Sequence, residues 1–268
     1  MPMTTAALRL GLALTTAALL SLTPGVPGPA LAAELEARTS QAYDAYLERA
    51  TRAFVSRAAI FGRVEAGRDG TLSAGPAEQD GIMKLPGGLV HHWVATAFVR
   101  GRTVDDLLQL SQTYSNYPSV YRAVMAIDVL ERSGDTYRVR TRVKGSGGGL
   151  TAVLEIRSTI RYSFPTGDRA QIFTNADEIR EVKNAGTRDE RLLPVGNDSG
   201  YLWRANTFTR LVAQDGGVYI EMETLGLSRA FPTLLGWLIE PIARRIGRRS
   251  VEATLDEFVT ASAAWRTP

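Results

Sequence analysis

The apolar positions of this chain follow two periods, and the change from one to the other divides it. Between residues 34 and 58, Leu35, Tyr43, Leu47, Ala50 and Phe54 recur at helical steps with charges between them, which predicts an amphipathic helix. Residues 62–88 are rich in Gly, Asp and Ser and predict loop or a short hairpin. A strand is expected over 89–99, closed by Arg100-Gly101. Thr103-Val104-Asp105-Asp106 then has the form of a capping box, with Thr103 as N-cap and Asp106 at the third helical position. Val104, Leu107, Leu108 and Tyr114 share one face of the helix it starts. Tyr117-Pro118 is expected to end that helix, because the residue before a proline avoids helical backbone.

From there the period is two. Strands are expected over 125–132, 137–144, 150–164, 169–182, 201–212 and 218–227, separated by Gly- and Asp-bearing turns. The last two form a hairpin that can be argued residue by residue. With Asp215-Gly216 as a two-residue turn, Gln214 pairs with Gly217, Arg210 with Glu221, Leu211 with Ile220, Thr209 with Met222 and Thr207 with Thr224. One face then carries Trp203, Ala205, Thr207, Thr209, Leu211, Ile220 and Met222, and is expected to be buried. The other carries Arg204, Asn206, Arg210, Glu221 and Glu223, and is expected to meet solvent; a slip of one residue would exchange the two. The chain closes on a helix whose Val251, Leu255, Phe258, Val259 and Trp265 form one apolar stripe beside Glu252, Asp256 and Glu257. Strands and helices segregated in this way predict an α+β antiparallel architecture.

The first residues follow a different logic. Arg9 leads into an apolar run over 10–22, then a Pro/Gly-rich hinge over 23–29, then Ala30-Leu31-Ala32. A positive start, an apolar middle and a small-residue site are the pattern of a secretory leader cleaved near Ala32. The run is shorter than the roughly 20 apolar residues that span a bilayer. The expected domains are therefore the leader over 1–32, a helix with a loop or hairpin over 33–88, and the sheet with its closing helix over 89–268. The expected location is periplasmic or secreted. With no cysteine in the chain, neither a lipidated Cys nor a disulfide is available, and an exported domain must rest on its core alone.

Charge says little in total: the net is +3, from 31 Lys and Arg against 28 Asp and Glu. Its arrangement says more. Arg138, Arg140, Arg142 and Lys144 alternate along one strand, and Arg157 and Arg161 lie on the next. A single-strand nucleic-acid surface would interleave exposed aromatics with these charges, and none occupies those positions, so no nucleic-acid partner is expected. Asp177, Glu178 or Glu181 is the expected counterion.

The two histidines, His91 and His92, are neighbours on a strand and point to opposite faces, so no shared metal is expected. The glycines 147–149 follow Lys144 and Ser146 where a phosphate loop would precede them. No G-x-S-x-G occurs and no thiol exists. No cofactor and no catalytic constellation is therefore expected. An apolar cluster, including Trp237 and Leu238, is followed by Arg244, Arg245, Arg248 and Arg249. Core packing, a cap over a pocket mouth, and docking on an anionic membrane or a partner all fit it.

The segments TVDDLLQLSQTYSNYPSVY, GGLVHHWVATAFVRG, GYLWRANTFTRLVAQDGGVYIEMETLGLSR and PTLLGWLIEPIARRI, in this order, resemble the START-like (SRPBCC) superfamily over about 89–265. That superfamily includes the polyketide cyclases and birch-pollen-allergen-like proteins. The resemblance implies a helix-grip fold, a curved antiparallel sheet around a long carboxy-terminal helix, with an apolar cavity between them. Trp203, Thr207, Thr209, Met222, Tyr137, Ile160 and Tyr162 are the expected wall. The implied partner is an apolar, lipid-like small molecule. The alternatives are a cyclase- or hydrolase-like enzyme drawing on Tyr162, Thr207 or His91, and a membrane-surface module.

Overall fold

The computed structural model describes residues 33–57, 71–147, 150–230 and 236–266. The expected leader, residues 1–32, lies outside the described residues. After a two-residue strand β1 (Ala33–Glu34), helix α1 spans Ala37–Ser56. Strands β2 (Leu72–Pro76), β3 (Ile82–Leu85) and β4 (Gly88–Arg100) follow, then α2 (Val104–Gln112), a 3-10 turn (Tyr114–Asn116) and a short helix α3 (Tyr117–Val120). The sheet continues with β5 (Val124–Ser133), β6 (Thr136–Gly147), β7 (Leu150–Thr166) and β8 (Arg169–Lys183). Short β9 (Arg191–Leu192) and β10 (Asn197–Asp198) precede β11 (Arg204–Gln214), β12 (Gly217–Arg229) and the closing helix α4 (Gly236–Ala264).

All pairings are antiparallel, in the order β2-β4-β12-β11-β8-β7-β6-β5, with β3 also on β4 and β9 on β8. The β11–β12 hairpin has the register expected from its turn, Gln214 opposite Gly217 through Thr207 opposite Thr224. Asp215 and Gly216 both take positive φ, 54° and 72°, as a primed two-residue turn requires. The capping box is present: Asp106 N–H donates to Thr103 Oγ1 at 3.1 Å, and Thr103 N–H to Asp106 Oδ2 at 2.9 Å.

Pro118 does not end a helix as expected; it opens one. α2 stops at Gln112, and Pro118 sits in the first turn of α3, where its missing N–H costs no bond. Within 62–88, two segments are strands, and both pair with β4.

The sheet carries two cores. On its inner face, Trp93, Ala95, Ala97, Ile160, Leu211, Ile220 and Met222 pack against Val251, Leu255 and Phe258 of α4 and against α2 and α3. On its outer face, Tyr43, Tyr46, Ala50 and Phe54 of α1 pack on Val90, Phe208, Leu225 and Leu227. A curved antiparallel sheet gripping its closing helix, with one further helix on its back, is an α+β helix-grip fold.

α4 is held close to the sheet at Gly247. A Cβ there would lie 2.3 Å from Trp93 Nε1, and one at Gly81 2.6 Å from its Cη2, so backbone meets the indole closely at two places. Alanine in a helix interior is worth about 1 kcal/mol over glycine, whereas overpacking a core costs about 1–3 kcal/mol. With 2.3 Å to a buried ring rather than to the end of a flexible side chain, overpacking wins. Gly247→Ala is expected to lower stability by about 1–2 kcal/mol in urea denaturation; a neutral or stabilising result would mean that the indole is not clamped.

Candidate functional site

The inner face is laid out in rows by the strand register. Tyr137, Ile160, Thr174, Thr207, Thr224 and Trp93 oppose one another across β6, β7, β8, β11, β12 and β4. The next row is Tyr162, Ile172, Thr209, Met222 and Ala95. In the first row large side chains stand at the ends and three threonines in the middle, and in the second Thr209 is the small central residue, so the middle does not fill. Between these rows, α4 and the α2–α3 segment lies a cavity of about 50 Å³. Ile160, Tyr162, Thr207, Thr209 and Met222 line it, with Ser111, Tyr117 and Tyr121 from the α2–α3 side and Thr254 and Phe258 from α4.

Two of the expected wall residues lie elsewhere. Tyr137 stands behind the wall, its ring edge-on to Tyr162 at 5.7 Å. Trp203 is a correction: its side chain joins the outer core with Tyr43, Phe208 and Leu225. It precedes the first residue of β11, Arg204, and alternation cannot be carried past the end of a strand.

The phenols beside the cavity bind the α2–α3 segment to the sheet. Tyr114 Oη and Tyr162 Oη are 3.0 Å apart. Tyr162 Oη donates to the Ser111 carbonyl at 3.1 Å and Tyr117 Oη to the same carbonyl at 2.7 Å. Burial pushes the Tyr114, Tyr117, Tyr121 and Tyr162 phenols up in pKa, so all four remain neutral donors at ordinary pH. Thr254 Oγ1 donates to Ser250 O at 3.0 Å. The hydroxyls of Thr174, Thr209 and Tyr121, which also line the cavity, make no hydrogen bond to a described residue.

The back of the sheet holds the other cluster of polar groups, and corrects a second expectation. Glu221 and Glu223 are 0% and 3% exposed, not solvent-facing, and Arg210 is buried with them. α1 covers that face and ends on it. Arg57 pairs with Glu221 at 2.7 Å and with Glu223, while Arg210 reaches Glu221 at 3.4 Å and the Phe54 carbonyl at the end of α1. His92 Nε2 lies 2.7 Å from Glu223 Oε1, and its Nδ1 lies 2.6 Å from Tyr46 Oη. His91 faces the other way, with Nε2 2.9 Å from Ser228 Oγ, and does not line the cavity. The described residues contain no group of three metal-ligating side chains.

The basic strand β6 is exposed, and its counterions are mostly not the expected ones. Arg138 pairs with Glu131 at 3.4 Å, Arg140 with Asp128 at 2.8 Å, and Arg142 with Glu190. Glu178 does face Arg157, at 3.9 Å, but Asp177 binds Thr159 and Asn175, and Glu181 binds Ser199. Edge strand β5 supplies two of these carboxylates, Glu131 and Asp128, because β6 pairs with it directly. Of the expected docking residues, Arg244 is bound to Asp80 at 3.1 Å, and Arg245 and Arg248 are exposed. Trp237 and Leu238 belong to α4, but their side chains lie outside the described residues. No helix among the described residues is long and apolar enough to cross a membrane. A wider cleft of about 530 Å³ opens to solvent at the sheet's turn end, between the turns at Gly101, Gly167 and Gly216. Its walls are turn segments with no convergent set of buried polar groups, so the inner cavity is the better candidate.

The fold and the site together define a helix-grip protein with a small hydroxyl-lined interior. No family model matches the sequence, and no curated protein matches it. Solved structures are similar to it at low identity. Human STARD10 is 8% identical over 87% of this chain and 82% of its own, with a TM-score of 0.45. A STAR-related lipid transfer protein from Xanthomonas axonopodis is 14% identical over 69% of this chain and 99% of its own, with a TM-score of 0.42. The ZhuI aromatase/cyclase from Streptomyces sp. R1128 is 14% identical over 65% and 94%, also with a TM-score of 0.42.

Proposed function

We propose that the protein binds an apolar small molecule in the cavity between its sheet and α4, and carries or holds that molecule outside the cytoplasm once its leader is removed. The observation that carries this reading is the cavity wall itself. Thr174, Thr209 and Tyr121 present hydroxyls without a described protein partner inside an otherwise apolar core. Each of these hydroxyls can donate and accept, so a molecule in the cavity that carries an oxygen can pair with them. A mostly apolar concavity with a few convergent polar groups is the usual form of a ligand site.

The closed volume of about 50 Å³ is far below that of a lipid. Ligand pockets of drug size run to about 300–1,000 Å³, so binding requires α4 or the α2–α3 segment to move outward. The bonds of Tyr117 and Tyr162 to Ser111 hold that segment, and they are the contacts such a movement would break. Native mass spectrometry of gently purified protein tests the reading, together with titration against aliphatic alcohols and sterols. A co-purifying apolar molecule or saturable binding is expected; finding neither would remove it.

Contact with an anionic membrane surface is a second reading, favoured by one observation. Arg245 and, one helical turn on, Arg248 and Arg249 are exposed on α4, and none is in an ion pair with a described residue. α4 also supplies Thr254 and Phe258 to the cavity, so the charges and the cavity share one element. Each such arginine near an anionic surface is worth about 1 kcal/mol. Arg245→Gln with Arg248→Gln is expected to reduce sedimentation with phosphatidylserine vesicles by about ten-fold or more; unchanged sedimentation would exclude the surface.

A further inference from the structure

We infer that the cavity selects neutral, oxygen-bearing apolar molecules, such as alcohols, ketones or esters, and rejects carboxylates and phosphates. The inference rests on the ligand-binding reading above and adds to it the chemical class of the ligand.

Three features of the wall lead there. First, its unpaired groups are hydroxyls, on Thr174, Thr209 and Tyr121. A hydroxyl both donates and accepts, so it matches an alcohol or carbonyl oxygen without any change of protonation. The threonines stand close together: Thr174 is directly opposite Thr207, and Thr209 is the next inward residue on β11. They form one polar spot on the sheet side, and Tyr121 faces it from the other side of the cavity. Second, no lysine, arginine or histidine is among the described residues that line the cavity. An ionised carboxylate or phosphate drawn inside would lose its hydration with no cation to replace it, a cost that hydroxyls alone do not cover. Third, the acid next to this end of the cavity has the wrong sign for an anion. Glu257 neighbours Phe258 on α4, is 9% exposed, and acts on Tyr121 through its charge. Its Oε1 is 3.5 Å from Arg122 Nε, while its buried Oε2 has no partner among the described residues.

The phenols add to the selection. Tyr162 has its hydroxyl committed to Ser111 and Tyr114, and Tyr117 to Ser111. Neither is free to solvate a charge, so the polar capacity of the cavity is confined to the Thr174–Thr209–Tyr121 groups.

The test compares four probes that share one carbon skeleton: dodecanol, the methyl ester of dodecanoic acid, dodecanoic acid and dodecane. Their affinities are measured at neutral pH by displacement of a fluorescent apolar dye. The alcohol and the ester are expected to bind at least ten-fold more tightly than the ionised acid. Thr174→Val with Thr209→Val keeps the shape and the strand preference while removing two hydroxyls. It is expected to weaken the alcohol on the order of ten-fold and leave dodecane unchanged. Thr209→Ser restores a hydroxyl at that position and is expected to bind the alcohol as the wild type does. Acid binding as tight as alcohol binding would overturn the selectivity and leave apolar binding standing. Binding of none of the four would overturn the proposed function itself. If the double valine variant does not fold, the wild-type comparison of alcohol with acid decides the question alone.

Discussion

Glu221→Ala is expected to destabilise the protein by about 3–5 kcal/mol, the range found when one partner of a buried ion pair is removed. Glu221 is fully buried on the back of the sheet and receives Arg57 at 2.7 Å and Arg210 at 3.4 Å. Two guanidiniums and two carboxylates, Glu221 and Glu223, balance there. Removing one carboxylate leaves a net positive charge under α1, and the buried Arg210 cannot swing out to water without undoing the packing around it. Arg210 sits beneath Phe54, with its guanidinium 4.4 Å from the ring centre, and donates to the Phe54 carbonyl. That bond also places a cation at the carboxy end of α1, where the helix dipole favours it. Loss of Glu221 therefore strains the seat of the whole helix. Urea denaturation followed by circular dichroism measures the cost, and limited proteolysis within 37–56 should show α1 released first. Replacing Glu221 and Arg210 together by methionine is expected to recover part of the loss, because the pair is then removed with its desolvation. A loss under about 1 kcal/mol for Glu221→Ala would mean that water reaches these charges, and that α1 is only loosely seated.

The same residues show where the sequence could be read and where it could not. The β11–β12 register followed from a two-residue turn, because the turn fixes both the pairing and the alternation of faces. Which face was polar was also clear. That this polar face was buried was not, since its cover is α1, more than 140 positions away, and the amphipathic stripe of α1 names no partner. Alternation distinguishes two sides of a sheet; it does not report whether a second layer lies on the polar one. The cavity divides in a similar way. Thr207, Thr209 and Met222 came from the hairpin, but Thr174 depends on the pairing of β8 with β11. Residues 184–203 separate those strands, and a connection that long fixes no register. Ser111, Tyr117 and Tyr121 were missed for another reason. Pro118 was expected to stop a helix and instead starts one, so the chain turns back over the cavity instead of leaving it. Trp203 failed by a single residue, at the boundary where strand geometry begins.

The second large effect concerns acid. His91 is 2% exposed, and burial holds its imidazole pKa down at about 3, against an ordinary value of 6.5. No neighbouring charge contributes to that shift. The hydrogen bonds agree with a neutral ring. Ser228 Oγ donates to the Arg229 carbonyl at 3.2 Å, so His91 Nε2–H donates to Ser228 Oγ and Nδ1 is left as a bare lone pair. Nδ1 is buried and has no partner among the described residues, so a second proton would create a buried N–H with nothing to accept it. Between about 6.5 and about 3 the unfolded chain therefore takes up a proton at this site that the folded protein refuses. The unfolded state binds more protons in that window, so stability falls as pH falls. The slope approaches about 1.4 kcal/mol per pH unit well below the upper limit. Above the window the site contributes no pH dependence. His91→Gln removes the titrating group, so the difference in unfolding free energy between wild type and variant isolates this site from the carboxylates that titrate in the same range. That difference is expected to be constant above the window and to shift in favour of the variant as the pH is lowered through it. The imidazole carbon and nitrogen chemical shifts of folded protein should still be those of a neutral ring at a pH where free histidine is largely protonated. A flat difference, or an imidazolium in the folded state, would mean that the ring finds an acceptor or water for Nδ1. Burial of His91, which lies on β4 between Ile82 of β3 and Gly226 of β12, would then be looser than its 2% exposure implies.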